Sequence, residues 1–392
     1  MLNIFASKEK QELMLVFDIR SSSVGGALFR VQKSGVPKII LSVREKILED
    51  GRVSVDKFLV STMKALDTVA SKILKSGLGA PKDIFCVLAS PWYVSQTRII
   101  NLKKDKPFVF SLKLADEMIK KEMEAFKEEH LDKYVKSNKE IRVIEIKNLK
   151  TILNGYETHK PLDQKVIEAE MILFISMSPE QILKNIEDVV QKYFHSKPIK
   201  FSSFTMASFA VMQNVFIDQP NFLLIDVGGE LTDLSMVKKK AFSESISFPL
   251  GHYYIVRGVS SALSCTRSEA GSYVALLDAG HADPSTENKL TPIINTLKME
   301  WLKMFQESLA NLSRDISVPY TIYLSAEPDF INFFRQVIES EQFNQYTLTE
   351  SKFKIISLDT EILHGIVEFE KETFRDPFAM VGASYINNFL IY

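Results

Sequence analysis

Two short segments, about two hundred residues apart, carry residue types that can grip phosphate and a hard cation. In the first, the apolar run Leu13–Phe17 ends at Asp18. A polar link with Arg20, Ser21, Ser22 and Ser23 then leads into a second apolar run, Val24–Val31. In the second, Phe222–Val227 contains Asp226, Gly228 and Gly229 follow, and Thr232–Val237 returns. Each reads as a β-hairpin with an Asp at the strand end and small or hydroxyl residues in the turn. Backbone N–H groups in such a turn form an anion-binding concavity, because small side chains let phosphate come close. The carboxylates suit Mg²⁺, which keeps most of its waters and is held through them while phosphates take its other face. Facing hairpins would grip a phosphate chain from both sides. Asp18 and Asp226 would then point toward the metal or its water. Ser21, Ser22 and Ser23 would serve one set of phosphates, and Gly228, Gly229 and Thr232 the other. One such turn is weak evidence, since turns use Asp, Ser and Gly for structural reasons. The internal repeat gives the pair its weight.

The elements around these hairpins predict an α/β protein. Residues 1–91 read β-β-β-α-β, with a helix over Val55–Ser76 whose apolar face carries Phe58, Leu66, Val69 and Ile73. Residues 92–177 differ. A Lys-rich stretch, Leu102–Lys106, precedes a charged amphipathic helix at Leu112–Tyr134, and strands follow at Ile141–Ile146, Thr151–Leu153 and Val166–Met177. This segment reads as a small α+β insert whose charge run is a solvated helix face. Residues 178–220 return to the first lobe, with Ser178 as N-cap of a helix over Pro179–Phe194 and a Met- and Phe-rich helix at Phe204–Phe216. Residues 221–375 form a second lobe with helices that include Thr291–Leu312. Residues 376–392 supply a closing apolar helix, Phe378–Phe389.

Bulk properties narrow the function. A chain of 392 residues is too long for one compact core. A formal charge of −1 gives no electrostatic case for nucleic acid. Cys86 and Cys265 match no zinc or CxxC spacing and read as reduced core residues of a cytoplasmic protein. The first twenty residues carry charges that interrupt a signal-peptide pattern, and no segment is apolar enough to span a bilayer. His195, His252 and His281 have no metal-site spacing, and no covalent-nucleophile signature occurs. Pro91-Trp92-Tyr93 reads as packing at a domain junction.

Leu15–Val24 resembles the first phosphate loop of actin-like ATPases, and Ile225–Asp233 resembles the second, usually written DxGGGTTD. Asn154-Gly155-Tyr156, Pro161-Leu162 and Val166–Met177 resemble the SHS2-type insert found in FtsA and PilM. Phe248–His252 and Ser268-Glu269-Ala270 resemble a "PxGG…AE" stretch, and Asp376–Ala383 the C-terminal helix. The chain thus resembles the FtsA/PilM-like proteins of the actin/Hsp70/sugar-kinase superfamily. The resemblance implies an actin-like (ribonuclease H-like) two-lobed fold that binds ATP and Mg²⁺ between its lobes. Gly251 and Ser325 would lie at the nucleotide and Glu269 at its sugar. The implied role is FtsA-like control of polymerisation or partner recruitment in cell division or a related membrane-associated assembly. The alternative is a PilM-like, non-hydrolysing pilus or secretion scaffold with a degenerate site. Partners would be division or pilus-assembly proteins, with self-association into filaments, no nucleic acid, and membrane contact only through a partner.

Departures from the family pattern qualify the chemistry. Arg20 stands where Gly is usual and either pairs with a phosphate or fills the space. Glu230 and Leu231 replace a Gly and a Thr, and Ile322–Pro328 lacks the glycines of an adenosine loop. Phe204–Phe216 offers Gln213 but no carboxylate to position a water, so at most weak ATPase activity is expected. Beyond Arg375 there is no Lys or Arg, so the basic amphipathic tail of FtsA is not expected.

Overall fold

The computed structural model describes residues 12–32, 35–47, 55–134, 140–195, 198–313, 317–340 and 352–391. Residues 1–11, which bear on the signal-peptide reading, lie outside this set. The chain opens with strands β1 (Leu13–Ile19), β2 (Ser23–Arg30) and β3 (Lys38–Lys46), helix α1 (Val55–Lys75) and β4 (Asp83–Leu88). The insert follows as β5 (Val94–Phe110), α2 (Leu112–Tyr134), β6 (Ile141–Leu153), β7 (Tyr156–Glu157) and β8 (Gln164–Pro179). Helix α3 (Glu180–Tyr193), β9 (Ile199–Ser203) and α4 (Phe204–Val215) complete the first lobe. The second lobe comprises β10 (Phe222–Val227), β11 (Thr232–Lys238), β12 (Ala241–Phe248), α5 (His252–Leu263), α6 (Arg267–Asp278), α7 (Pro284–Leu312), β13 (Thr321–Ala326), α8 (Ile331–Glu339) and β14 (Lys354–Ser357). The chain then returns through β15 (Glu368–Phe369) to α9 (Pro377–Phe389).

The two hairpins are the centres of two sheets with one plan. In the first lobe the order is β15-β3-β2-β1-β4-β9, and in the second β12-β11-β10-β13-β14. In each, the first hairpin is antiparallel and its leading strand pairs in parallel with the next strand out, β1 with β4 and β10 with β13. The leading strands are nearly continuous apolar runs because both faces are covered. Leu15, Phe17 and Ile19 face α1 and α3. Met14 and Val16 face a core filled by α4 and α9, which also takes Phe222 and Leu224 from the second sheet. These two helices therefore lie between the lobes. The far face of the second sheet packs on α5 to α8 around the fully buried Trp301.

The insert is a separate antiparallel sheet, ordered β5-β8-β6-β7, with its own core against α2 that includes Phe110, Phe126 and Leu173. Its Lys-rich stretch lies in β5 beside a register shift between Lys103 and Phe108. Three local expectations change. The segments at 141–146 and 151–153 form one strand with two register shifts. Ser178 does not cap α3. Strand β8 runs on to Pro179, so the Ser178 hydroxyl is buried and donates to the Trp92 carbonyl at 2.7 Å. Helix α7 begins at Pro284, capped by Asp283, and continues through Thr291, where the sequence suggested the start, and Pro292. Tertiary burial of its face at Leu290, Ile294 and Trp301 outweighs the hydrogen bond lost at the proline.

Candidate functional site

The hairpin turns meet in the cleft between the lobes, and the chain's own side chains fill the space between them. Arg20 N–H closes the first turn on the Ser23 carbonyl at 3.0 Å, which turns the Arg20 side chain into the cleft. Its guanidinium is 1% exposed, bonds the Asp226 carboxylate, and lies 3.9 Å from Asp18. Phe204, the first residue of α4, and Phe378 of α9 pack on it with ring centroids 4.5 and 4.0 Å away. Arg44, at the end of β3, binds Asp18 at 2.7 Å, Asp376 at 2.8 Å and the Ser23 hydroxyl at 2.7 Å. Burial opposes the Arg20 charge, but Asp226, Asp18 and Glu327 outweigh it and hold the guanidinium protonated. Burial likewise pushes the Asp18 carboxyl up, against the pull of Arg44 and Arg20.

The donors and acceptors expected to meet phosphates are also engaged. Ser21 Oγ sits in the concavity of the second turn, where it accepts from Gly229 N–H at 2.8 Å and Glu230 N–H at 3.2 Å. A neutral hydroxyl oxygen thus takes the place of an anion. Ser22 and Ser23 donate to Glu327 at 2.6 and 2.7 Å. Burial alone would raise the Glu327 carboxyl, yet Arg44, His252 and these hydroxyls lower it to about 2. The first N–H groups of α5 are spent on the second loop. His252 N–H meets Gly228 O at 3.0 Å and Tyr253 N–H meets Gly229 O at 2.9 Å. Gly251 must be glycine, because a Cβ there would overlap the carbonyls of Gly228 and Gly229. Glu230 pairs with Arg257 at 2.7 Å.

Other predicted residues lie apart from this cluster. Thr232 turns into the second-lobe core, where its hydroxyl donates to Leu250 O at 2.7 Å and accepts from Trp301 Nε1 at 3.3 Å. Glu269, expected at a sugar, instead closes a capping box on α6. Its carboxylate accepts from Thr266 N–H and hydroxyl, both at 2.8 Å. Ser325 lies opposite Asp226 in the β10–β13 register, beside a small, mainly apolar space that Asp233 also borders. Burial and the nearby Asp226 charge raise Asp233 to about 6, against the Ser247 hydroxyl. Gln213 is turned away and bonds the Lys240 carbonyl. Arg44, Glu327 and Asp376 were not read as site residues from the sequence. Of these, only Asp376-Pro377 carries a local signal, that of an N-cap followed by proline at N1.

Next to the filled cleft lies a cavity of about 250 Å³, bordered by Ser22, His252, Tyr253, Gly271, Glu327 and Phe330. The His252 and Phe330 rings stack at 4.7 Å. His252 is fully buried, and the loss of solvation lowers its pKa to about 4, so it is neutral at pH 7.

No family model and no curated relative matches the sequence. Solved structures do. A chain of the PilM-PilN type IV pilus biogenesis complex superimposes with a TM-score of 0.62 at 13% identity, covering 96% of this chain and 98% of that one. The fold is actin-like. The two sheets of one plan and the insert between them are the features this likeness spans. Weaker likenesses are to the ethanolamine utilization protein EutJ from Carboxydothermus hydrogenoformans (TM-score 0.43, 10% identity, covering 96% of this chain and 89% of that one) and a MamK double helical filament (0.46, 11%, 96% and 98%). At these identities the likeness establishes the fold alone. No helix among the described residues is long and apolar enough to cross a membrane.

Proposed function

We propose that this chain is a non-hydrolysing assembly scaffold, PilM-like in character, in which an internal arginine does the electrostatic work of a bound cation. The observation that carries this reading is Arg20 between Asp18 and Asp226, the two carboxylates best suited to a hydrated metal. Arg20 and Arg44 already set positive charge against them, Ser21 already fills the anion concavity, and Glu327 adds negative charge where phosphates would approach. In this arrangement the residues do not fit a phosphate chain with Mg²⁺, and no step is routed through one. The cleft is held closed by protein groups, so the lobes present a fixed surface to partners. Those partners are protein components of a membrane-associated machine, of the pilus-assembly or cell-division kind, with the membrane reached through them.

One observation favours a second reading, the FtsA-like switch on ATP·Mg²⁺. The cavity beside the cluster is bordered by the rings of His252, Tyr253 and Phe330, and a nucleoside could enter it, with its phosphates reaching Asp18 and Asp226 only if Arg20 withdrew. Titration calorimetry with ATP·Mg²⁺ separates the two. The scaffold reading expects no saturable heat from the wild type and no rise in melting temperature at millimolar ATP. Micromolar binding that Asp226→Ala weakens at least tenfold would overturn it.

A further inference from the structure

We propose that the insert is the lever that holds the interlobe cleft shut, with Glu145 and Phe174 as its two grips. Strand β6 shifts register between Val143 and Glu145, and such a bulge re-aims a side chain. Here it carries a carboxylate into the first lobe. Glu145 is 7% exposed. One of its oxygens accepts from the Ser203 N–H at 3.2 Å and hydroxyl at 2.8 Å, the other from the Tyr385 hydroxyl at 2.7 Å. Burying a carboxylate is costly unless it is fully hydrogen-bonded, and this one's partners belong to the two helices that enclose Arg20.

Ser203 is the N-cap of α4, whose next residue, Phe204, packs on the Arg20 guanidinium. Tyr385 lies on α9, whose N-cap Asp376 binds Arg44 and whose Phe378 also packs on Arg20. A single insert carboxylate therefore ties together the walls around the central cation. The second grip reaches the other lobe. Phe174 of β8 meets Phe242 of β12 edge-on at 5.3 Å, and Phe242 also packs against Phe209 of α4 at 5.5 Å. The insert thus bridges both lobes and α4, and a partner that moved it would loosen Arg20 from Asp226. The proposal rests on Arg20 closing the cleft, which the same experiment tests separately.

Hydrogen exchange at the arginine Nε positions, followed by NMR on protein labelled with ¹⁵N-arginine, reads the lever directly. Arg20 Nε is buried, whereas Arg335 on α8 is 48% exposed and serves as reference. In the wild type, Arg20 should exchange at least a hundredfold more slowly than Arg335. Equal rates would sink the closed-cleft reading itself. Glu145→Ala and Phe174→Ala should each accelerate Arg20 at least tenfold without changing Arg335. Glu145→Gln and Tyr385→Phe, which spare most of the packing, should give intermediate rates and carry the test if the alanine variants do not fold. Phe305→Leu, a core change in the second lobe away from the insert, should lower the melting temperature yet leave Arg20 as in the wild type. Unchanged Arg20 exchange in the insert variants, or equal acceleration by Phe305→Leu, overturns the lever.

Discussion

Replacing Arg20 by leucine tests the central ion cluster most directly. The side chain is 1% exposed, and its charge is set against Asp226, which is 14% exposed, and Asp18, which keeps Arg44. Removing one partner of a buried ion pair costs about 3–5 kcal/mol, because the other charge is left uncompensated. Asp226 retains some access to water, which places this site at the low end of that range, about 3 kcal/mol. Loss of the guanidinium from the rings of Phe204 and Phe378 adds about 1 kcal/mol, while leucine preserves much of the packing. Arg20→Leu should therefore lower unfolding stability in urea at pH 7 by about 4 kcal/mol. Because most of this loss is the orphaned Asp226, Asp226→Asn in the same chain should recover about 2 kcal/mol. A loss below about 1 kcal/mol, or strict additivity of the two substitutions, would refute the claim that Arg20 neutralises Asp226.

Further outcomes follow from the same cluster. Unfolded Asp233 sheds its proton near 3.8, but the folded chain keeps it to about 6. Its contribution to stability is therefore complete below the lower value and is lost as pH rises between the two, by about 3 kcal/mol. Asp233→Asn should flatten that part of the stability–pH curve, as followed by urea midpoints from pH 4 to 7; an unchanged slope counts against the buried-carboxyl assignment. Gly251→Ala should destabilise by about 2–3 kcal/mol through overlap with the second loop. Gly271→Ala, whose Cβ meets nothing within 4 Å, should instead raise the melting temperature slightly, by about 0.5–1 kcal/mol of stability. The two glycine variants together check the loop geometry and the open cavity by calorimetry alone. Arg20→Gly removes the guanidinium and its ion pair altogether, and a gain of ATP·Mg²⁺ binding by this variant would show that the arginine is what excludes it.

Much of the fold was legible because burial and backbone geometry are written locally. Leu15–Ile19 and Leu223–Val227 are apolar at every position but the Asp, which marks strands covered on both faces, and the repeat of that pattern marks two sheets of one plan. The site was legible in part. Asp18, Arg20, Ser21–Ser23, Asp226, Gly228, Gly229 and Gly251 do converge, because the turns that carry them are short and their strands are central. Glu269 and Thr232 do not join them. Helix α6 turns about 100° per residue, so Ser268 and Gly271 border the cavity while Glu269 points to the cap.

By itself, then, the sequence determined which strands are buried, where each hairpin turns, and that an α+β insert interrupts the first lobe. It also left Arg20 with two possible roles, phosphate partner or space-filler. Tertiary structure adds what neither names, an ion pair with Asp226. Arg44 comes from a strand end hundreds of residues before Glu327 and Asp376, and nothing in their local sequence fixes which charge each will meet. In a low-dielectric cleft, each ion's state depends on every other charge within a few ångströms. Only the folded chain brings those charges to one place, and there the arginine pairs with the chain's own carboxylates.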